Sequence, residues 1–591
     1  MSEQLITNYF RLHNANQFIE SVSEVANSVY YVFAGHHTPY DGGDAVIPSL
    51  VFSNDNTLYS PYEEMVFGKR VYPTDVVNLA PRYDWVSNTY YTAYRSTEDL
   101  SSKPFYVGVL NSSYYDVFKC LDNFSNGIST ISPDVTQTSP DDAFYSTSDG
   151  YVWKYMYSVD ITTFNQFATD QYIPVIANTQ VSGNATPGAI DTIEITYRGS
   201  NYNTSLSNTF ISTDLRVGGD TTKYNIANNA FAANNFYTGS FMYLVSGTGY
   251  GQGRKISGYT VVGTTKTVSL ESPFTVPPDV STLYQITPNV LITGDGTGCQ
   301  ARAIVDTSSS NTISSIEIID NGQDYTFASA VVVGNTSGTS NTAVLTVIKG
   351  PKGGHGSNPQ YELGATAVGI SVSFSKDETG TLPVTNDFRS IGLIKDPLFS
   401  SVELTVSTFT GGFSIGETVT QPDTGTTGTV VSWDSISNLT LTNVNGILLT
   451  GNSTNNYVVG GTSGTQASVS TYTINGVNKN FNTFDQRRRY TFTPISGIFV
   501  EDEPIYQVNT ATSNAIYYSN TASTMYLTHV KGSLNSLTPI FGNTSLAQAT
   551  LVYSYPSDLM PGSGEILYYE NESAVTRSAS QTETIKIILQ F

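Results

Sequence analysis

Ser414 sits in Gly412-Phe413-Ser414-Ile415-Gly416, the spacing that in acyl-transfer enzymes raises a serine hydroxyl on a sharp strand-to-helix turn. The following Glu417-Thr418-Val419-Thr420 is strand-forming, so the pattern predicts a turn entering a strand, not a nucleophile elbow. The histidines are His13, His36, His37, His355 and His529. Adjacent His36 and His37 would point to opposite faces of an extended strand, and no His-x-x-x-His or Cys/His set with zinc spacing accompanies them. They read as a polar loop ending a strand. Cys120 and Cys299 stand alone and read as buried thiols. Gly247-Thr-Gly-Tyr-Gly-Gln-Gly253 and Gly294-Asp-Gly-Thr-Gly298 imitate phosphate cradles, but both run into β-type sequence without a helix N-terminus to receive an anion. Hairpin turns are expected there. Asp41-Gly-Gly-Asp44 and Asp320-Asn-Gly-Gln-Asp324 offer oxygen ligands but lack the closing glutamate of an EF-hand calcium loop. Carboxylate pairs for glycoside hydrolysis come from distant parts of a fold, so spacing nominates none of the 49 acids. The expectation is no catalytic residue, no cofactor and no metal.

Composition points the same way. The 591 residues carry 27 Lys and Arg against 49 Asp and Glu, a formal charge of −22. A nucleic-acid binder needs a basic, phosphate-neutralising surface, so no nucleic-acid partner is expected. Charged residues are only 13% of the chain, leaving a surface of Ser, Thr, Asn and Gly, while 12% aromatic residues, 40 of them Tyr, supply the apolar area that a folded chain needs. No run of 18 apolar residues occurs and the first residues lack a basic start before an apolar core, so no membrane association is expected. The length is enough for about four domains.

The elements follow from periodicity. Phe18, Val22, Val25 and Val29 recur at helical spacing and predict one helix over 14–28, leading into a buried strand over 29–35. Residues 38–81 read as long ordered loops with short strands. Strands over 105–111 and 114–121 flank the turn Asn111-Ser112-Ser113, and Tyr151, Trp153 and Tyr155 share one face of a strand over 151–159. Beyond 181 the chain turns to short Ile/Val/Thr runs between Gly, Asn and Ser, an all-β texture. Ile190, Ile193, Gly199 and Tyr202 recur 123 residues later as Ile313, Ile316, Gly322 and Tyr325. Phe413, Glu417, Val419, Leu441, Val444 and Gly446 recur 86 residues later as Phe499, Glu503, Ile505, Leu527, Val530 and Gly532. Constant offsets over apolar and glycine positions imply duplicated β units. Alternation of Ile585, Ile587, Leu589 and Phe591 predicts a final strand tied into a sheet.

Outside the repeats, Asp149-Gly-Tyr-Val-Trp-Lys-Tyr-Met-Tyr-Ser-Val159, Ser563-Gly-Glu-Ile-Leu-Tyr-Tyr-Glu-Asn571 and Gln581-Thr-Glu-Thr-Ile-Lys-Ile-Ile-Leu-Gln-Phe591 resemble a baseplate wedge protein of T-even-type contractile-tailed phages, the gene product eight family, in an enlarged, cyanophage-like version. Shorter matches fall in the same order: Phe10-Arg11, Tyr31 to Gly35, Pro81-Arg82-Tyr83-Asp84-Trp85, Lys119-Cys120-Leu121-Asp122, Tyr172-Ile173, and Phe388-Arg389 before Asp396-Pro397-Leu398. The resemblance covers roughly 1–180, 350–400 and 557–591. It implies a mainly β chain: a discontinuous, sandwich- or barrel-like wedge domain (1–180, 350–399 and 557–591) with one N-terminal helix, interrupted by two inserted all-β repeat modules (181–349 and 400–556). It further implies a non-enzymatic virion protein of the tail baseplate, assembled in the host cytoplasm. The protein would form a homodimer, bind other wedge subunits, and take part in the rearrangement that accompanies sheath contraction. Candidate core or interface anchors are Arg82, Asp84, Trp85, Tyr151, Trp153, Tyr155, Tyr568 and Phe591, since buried aromatics dominate both settings. For Trp153 the core is favoured. A receptor-binding or adhesin-like tail protein, with glycan binding by the inserted modules, is the alternative; nothing in the residues singles out a glycan site.

Overall fold

The computed structural model describes residues 7–24, 28–49, 55–96, 98–124, 126–135, 145–203, 205–210, 217–308, 310–333, 336–375, 387–445, 448–451, 456–477, 482–507, 513–532, 534–535, 538–576 and 582–591. The chain is mainly β, with 49% of its residues in strands. It divides into two compact units, one of residues 1–12, 78–367 and 591, the other of 13–77 and 368–590. Segment 181–349 lies in the first and 400–556 in the second. Val25, Gly446 and Gln581, which carried part of the sequence pattern, lie outside the described residues.

The N-terminal helix spans Asn8–Ser23, earlier than predicted. Thr7 caps its start by accepting the Phe10 N–H on its hydroxyl. Ser21 and Ser23 turn their hydroxyls back onto the carbonyls of Phe18 and Ile19 in the last turn. The expectation of a single helix needs correction, because helices also form at Asp55–Glu64, Ile161–Phe167, Thr179–Gly183 and Pro359–Glu362. Pro61 lies inside the first of these and breaks the sequence signature of a helix. The second starts where Asp160 accepts the N–H groups of Thr162 and Thr163.

In the first unit, Tyr106–Leu110, Tyr114–Asn123, Tyr151–Asp160 and Tyr145–Ser146 form an antiparallel sheet in that order. Asn111 holds the predicted turn by accepting the N–H groups of Ser113 and Tyr114. A register shift opposite Val117 and Phe118 separates Tyr155 from Tyr157. Consequently Tyr151, Trp153 and Tyr155 serve one core and Tyr157 and Val159 another.

The repeats spaced by 123 residues meet face to face. Ile190 N–H donates to Asn321 O at 2.9 Å, and Ile313 N–H to Arg198 O at 3.0 Å. Likewise Asn201 reaches Ser310 O and Asp324 reaches Pro187 O, while Tyr202 reaches Asn311 O and Tyr325 reaches Gly188 O. Each bond becomes its partner when the two copies are exchanged, the signature of a local twofold. Gly199 (φ 64°) and Gly322 (φ 62°) keep this junction tight: a Cβ on either would stand 2.5 Å from a backbone atom, Asn341 O or Cys299 N. The repeats gave no sign of the separate six-stranded sheet between 206 and 287, which has its own core around Tyr224, Tyr259 and Tyr284.

In the second unit, Thr483–Asp485, Met65–Arg70, Tyr30–Gly35, Phe388–Lys395 and Glu565–Val575 form a five-stranded antiparallel sheet. The 86-residue repeats are two closed six-stranded barrels. The first closes in the order Phe399–Ser407, Asn438–Asn445, Thr426–Trp433, Thr418–Gln421, Tyr457–Gly460 and Gln466–Val477. The second repeats it strand for strand with Arg488–Ser496, Thr524–Lys531, Asn514–Asn520, Pro504–Gln507, Ile540–Gly542 and Gln548–Tyr555. Closure leaves neither barrel an open edge.

Candidate assembly surface

The site grows from the buried face of the first unit's sheet. Trp153 and Tyr151 are fully buried and stack 5.3 Å apart, with Tyr91 edge-on to Trp153 at 5.9 Å. Both are core residues, and the Tyr151 hydroxyl fixes loops: it donates to Gly127 O at 2.7 Å and accepts the Tyr91 N–H at 3.2 Å. Two loops, 84–91 and 123–131, are thereby held to one scaffold. Trp85 joins them, its indole N–H donating to Ser129 Oγ at 3.1 Å. A bridge pairs Thr89 with Ser129. Asn123 Nδ2 donates to Tyr90 OH and Tyr91 O. Asp149 takes the N–H groups of Thr130 and Ile131. Burial would raise the Asp149 pKa, but hydrogen bonds from Thr147, Ile131, Thr130 and Tyr151 hold it below the ordinary carboxylate range, so it stays an acceptor.

Anchored this way, the loops carry exposed apolar side chains. Phe124 is 66% exposed, Val86 and Ile128 57% each, and Tyr90 and Ile131 are exposed as well. Phe124 adopts a positive φ of 49°, costly for an aromatic residue, and its ring lies over Gly150, where a Cβ would come within 2.6 Å of it. No charged residue occurs in 85–93 or in 123–133. Five exposed apolar side chains thus lie on two loops tied to one scaffold, a feature of the kind that interaction sites present.

The other predicted anchors scatter. Arg82 and Asp84 form a paired clasp beside Trp85: Arg82 Nε lies 3.0 Å from both Asp84 oxygens, Tyr115 OH donates to Asp84 at 2.7 Å, and Arg82 Nη1 donates to Thr169 O. The Asp84 hydrogen bond raises the Arg82 pKa. With both groups spoken for, the pair fixes a loop. Tyr155 is half-buried and its hydroxyl meets Ser158 Oγ at 2.7 Å. Tyr568 lies opposite Leu393 in the second unit's sheet, its hydroxyl donating to Glu570. Phe591 is half-buried, its N–H donating to Thr366 O. Only Trp85, Arg82 and Asp84 border the apolar surface. Val86, Tyr90, Phe124, Ile128 and Ile131 escaped the sequence reading because they sit in loops without period 2 or 3.6; their one signal is large apolar residues in otherwise polar, uncharged stretches.

Sequence reading also missed a buried ionic cluster at the root of segment 181–349. Lys119 pairs with Glu362, and His355 Nε2 with Asp191, every side chain under 5% exposed. Glu362 also accepts the Gly356 and Asn358 N–H groups, and Lys119 lies 4.6 Å over the Tyr94 ring. Burial pushes the Asp191 pKa well up; burial and then Lys119 push that of His355 well down. The arrangement rivets the start of strand Ile190–Tyr197 and the loop after Lys349 to the sheet.

The remaining motifs are structural. Ser414 precedes strand Thr418–Gln421, its N–H donating to Glu417. Gly247–Gly253 and Gly294–Gly298 join paired antiparallel strands. Asp44 is engaged by both ends of the Arg389 guanidinium at 2.7 Å. His36 and His37 part company as expected, to Glu64 and to Asp502 and Thr528. Cys120 is a buried thiol and Cys299 a partly buried one. No helix among the described residues is long and apolar enough to cross a membrane, which says nothing of strands. No protein-family model and no curated protein matches the chain.

Proposed function

We propose that this chain is a structural component of a contractile-tail baseplate wedge, a homodimer that binds other wedge subunits and takes part in the rearrangement at sheath contraction. The observation that carries an assembly role is the set of exposed apolar side chains Val86, Tyr90, Phe124, Ile128 and Ile131 on two loop stretches without charged residues, bordered by half-buried Trp85. We assign that surface to the self-contact. A chain of charge −22 repels its copies over most of its surface, so two copies meet most favourably where charge is lacking. The placement in a phage tail rests on the collinear sequence resemblance alone. Imaging tail particles from a phage that carries this gene tests it: paired closed barrels resolved within the baseplate support the reading, and baseplates lacking the protein refute it.

The adhesin reading draws on one feature, Tyr250, 68% exposed on the Gly247–Gly253 hairpin and flanked by Gln252, Arg254 and Asp320. Glycan binding that Tyr250→Ala abolishes, with baseplate assembly intact, would favour it.

A further inference from the structure

The second barrel carries two cations and a histidine at places where the first has neutral, non-titrating residues. A cavity of about 320 Å³ in the second unit is lined by Tyr62, Gln486, Arg488, His529, Lys531 and Ser557. Arg488 pairs in register with Leu527, and the equivalent partner of Leu441 is Val402. Counting back 86 residues, His529 corresponds to Asn443 and Lys531 to Asn445. All three ionisable residues are therefore neutral in the first barrel, so barrel architecture does not require them.

His529 reaches the cavity through a bulge. Opposite Asn514 to Ile516, the strand Thr524–Lys531 runs from Lys531 to Thr528 and so holds one residue more. His529 there has φ 49°. Asn443 has the same φ of 49° in the matching bulge of the first barrel. Bulges re-aim side chains, and this one is present in both copies, so the change from Asn to His altered chemistry at a fixed place.

Arg488 and Lys531 form no ion pair among the described residues, although Glu63 lines the same cavity. His529 Nδ1 is buried without a hydrogen-bond partner among the described residues. Half-buried Arg488 and His529 lie deeper than exposed Lys531 and Glu63, so the inner part of the cavity favours an anion.

We propose that this cavity binds a small oxyanion, a carboxylate or a phosphate group, held by Arg488 and Lys531 with His529 as a third donor. The groups around His529 set a proton linkage. Burial and then His37, whose ring centroid lies 6.2 Å away, hold its pKa down to about 4, with His36 and Lys531 in the same sense and Glu64 opposed. His37 itself meets Asp502 and Thr528, and Arg488 and Glu63 face the ring from the cavity walls. A bound oxyanion supplies the negative charge this ring lacks, so binding takes up a proton and tightens from about pH 7 to pH 5.

Calorimetric titration of the full chain with inorganic phosphate and, separately, with glutarate tests the proposal, the two arms distinguishing the source of the oxyanion. We expect one site per chain for at least one of them, weakened about tenfold or more by Arg488→Gln and several-fold by Lys531→Gln. His529→Asn, which installs the residue the first barrel carries in the same bulge, keeps the fold and removes the tightening at low pH. Lack of binding of either anion at about 10 mM, or wild-type affinity in Arg488→Gln, would overturn it.

Discussion

Glu417 and Glu503, 86 residues apart, make the same set of hydrogen bonds in the two barrels. Glu417 accepts the N–H groups of Ser414, Thr462 and Ser463 and the Ser463 hydroxyl. Glu503 accepts those of Val500, Thr544 and Ser545 and the Ser545 hydroxyl. Each carboxylate staples the turn before the barrel's short strand to the loop before its last strand. Gly460 and Gly542 make room, since a Cβ would stand 2.8 Å and 2.6 Å from the respective carboxylate.

Removing either staple orphans several donors at once. Glu417→Ala is expected to destabilise the first barrel by about 2–4 kcal/mol. Trp433, packed against Phe409 and Phe413, reports that barrel's unfolding by fluorescence. Glu503→Ala serves as the internal control, lowering overall stability while leaving the Trp433 transition nearly in place.

The same carboxylates set an acid limit. Burial would raise their pKa values, but hydrogen bonds, from Ser463 in one barrel and Ser545 in the other above all, bring both below the ordinary 4.5. A depressed carboxylate pKa gives stability that is complete above the unfolded value and lost as pH falls through the folded one. Denaturant midpoints of the wild type should therefore fall below about pH 4.5, and the Glu417→Ala, Glu503→Ala double variant should fall less steeply there.

Lys119→Met leaves the Glu362 carboxylate buried without its cation, at an expected cost of about 3–5 kcal/mol to the first unit. Adding Glu362→Gln to it should recover much of that loss. Urea unfolding followed through Trp85 and Trp153 checks both.

Gly199→Ala and Gly322→Ala force a Cβ into a backbone contact at positive φ on both sides of the local twofold. Each should cost more than about 1 kcal/mol, and by similar amounts, measured as shifts in thermal unfolding. Unequal effects would mean that the two copies are not energetically equivalent.

Legibility in the sequence follows the range of the interactions. Strand periodicity and the offsets of 86 and 123 are local or repeated patterns, so Glu417, Glu503, Gly199 and Gly322 stand out from the sequence alone. Lys119 and Glu362 lie 243 residues apart and Asp191 and His355 lie 164 apart, and no spacing rule joins such pairs. The helix over Asp55–Glu64 is hidden by Pro61. Of the candidate assembly surface, Trp85 at its border is legible as a large aromatic residue in a short charged motif. Phe124 and Ile128 are not, because exposure in a loop is decided by what Tyr151 and Asp149 hold in place.

If the uncharged surface makes the self-contact, screening the repulsion between two acidic chains should strengthen it. Dimer affinity is expected to rise between low salt and about 0.5 M salt, the reverse of an ion-paired interface. Concentration-dependent light scattering follows this directly.

The most direct test is the sedimentation mass of the wild type beside a Phe124→Ser, Ile128→Ser variant, both checked for unchanged thermal unfolding. The account predicts a dimeric wild type and a monomeric variant. A wild type that sediments at the 63.9 kDa of a single chain, or a variant that stays dimeric, would contradict it.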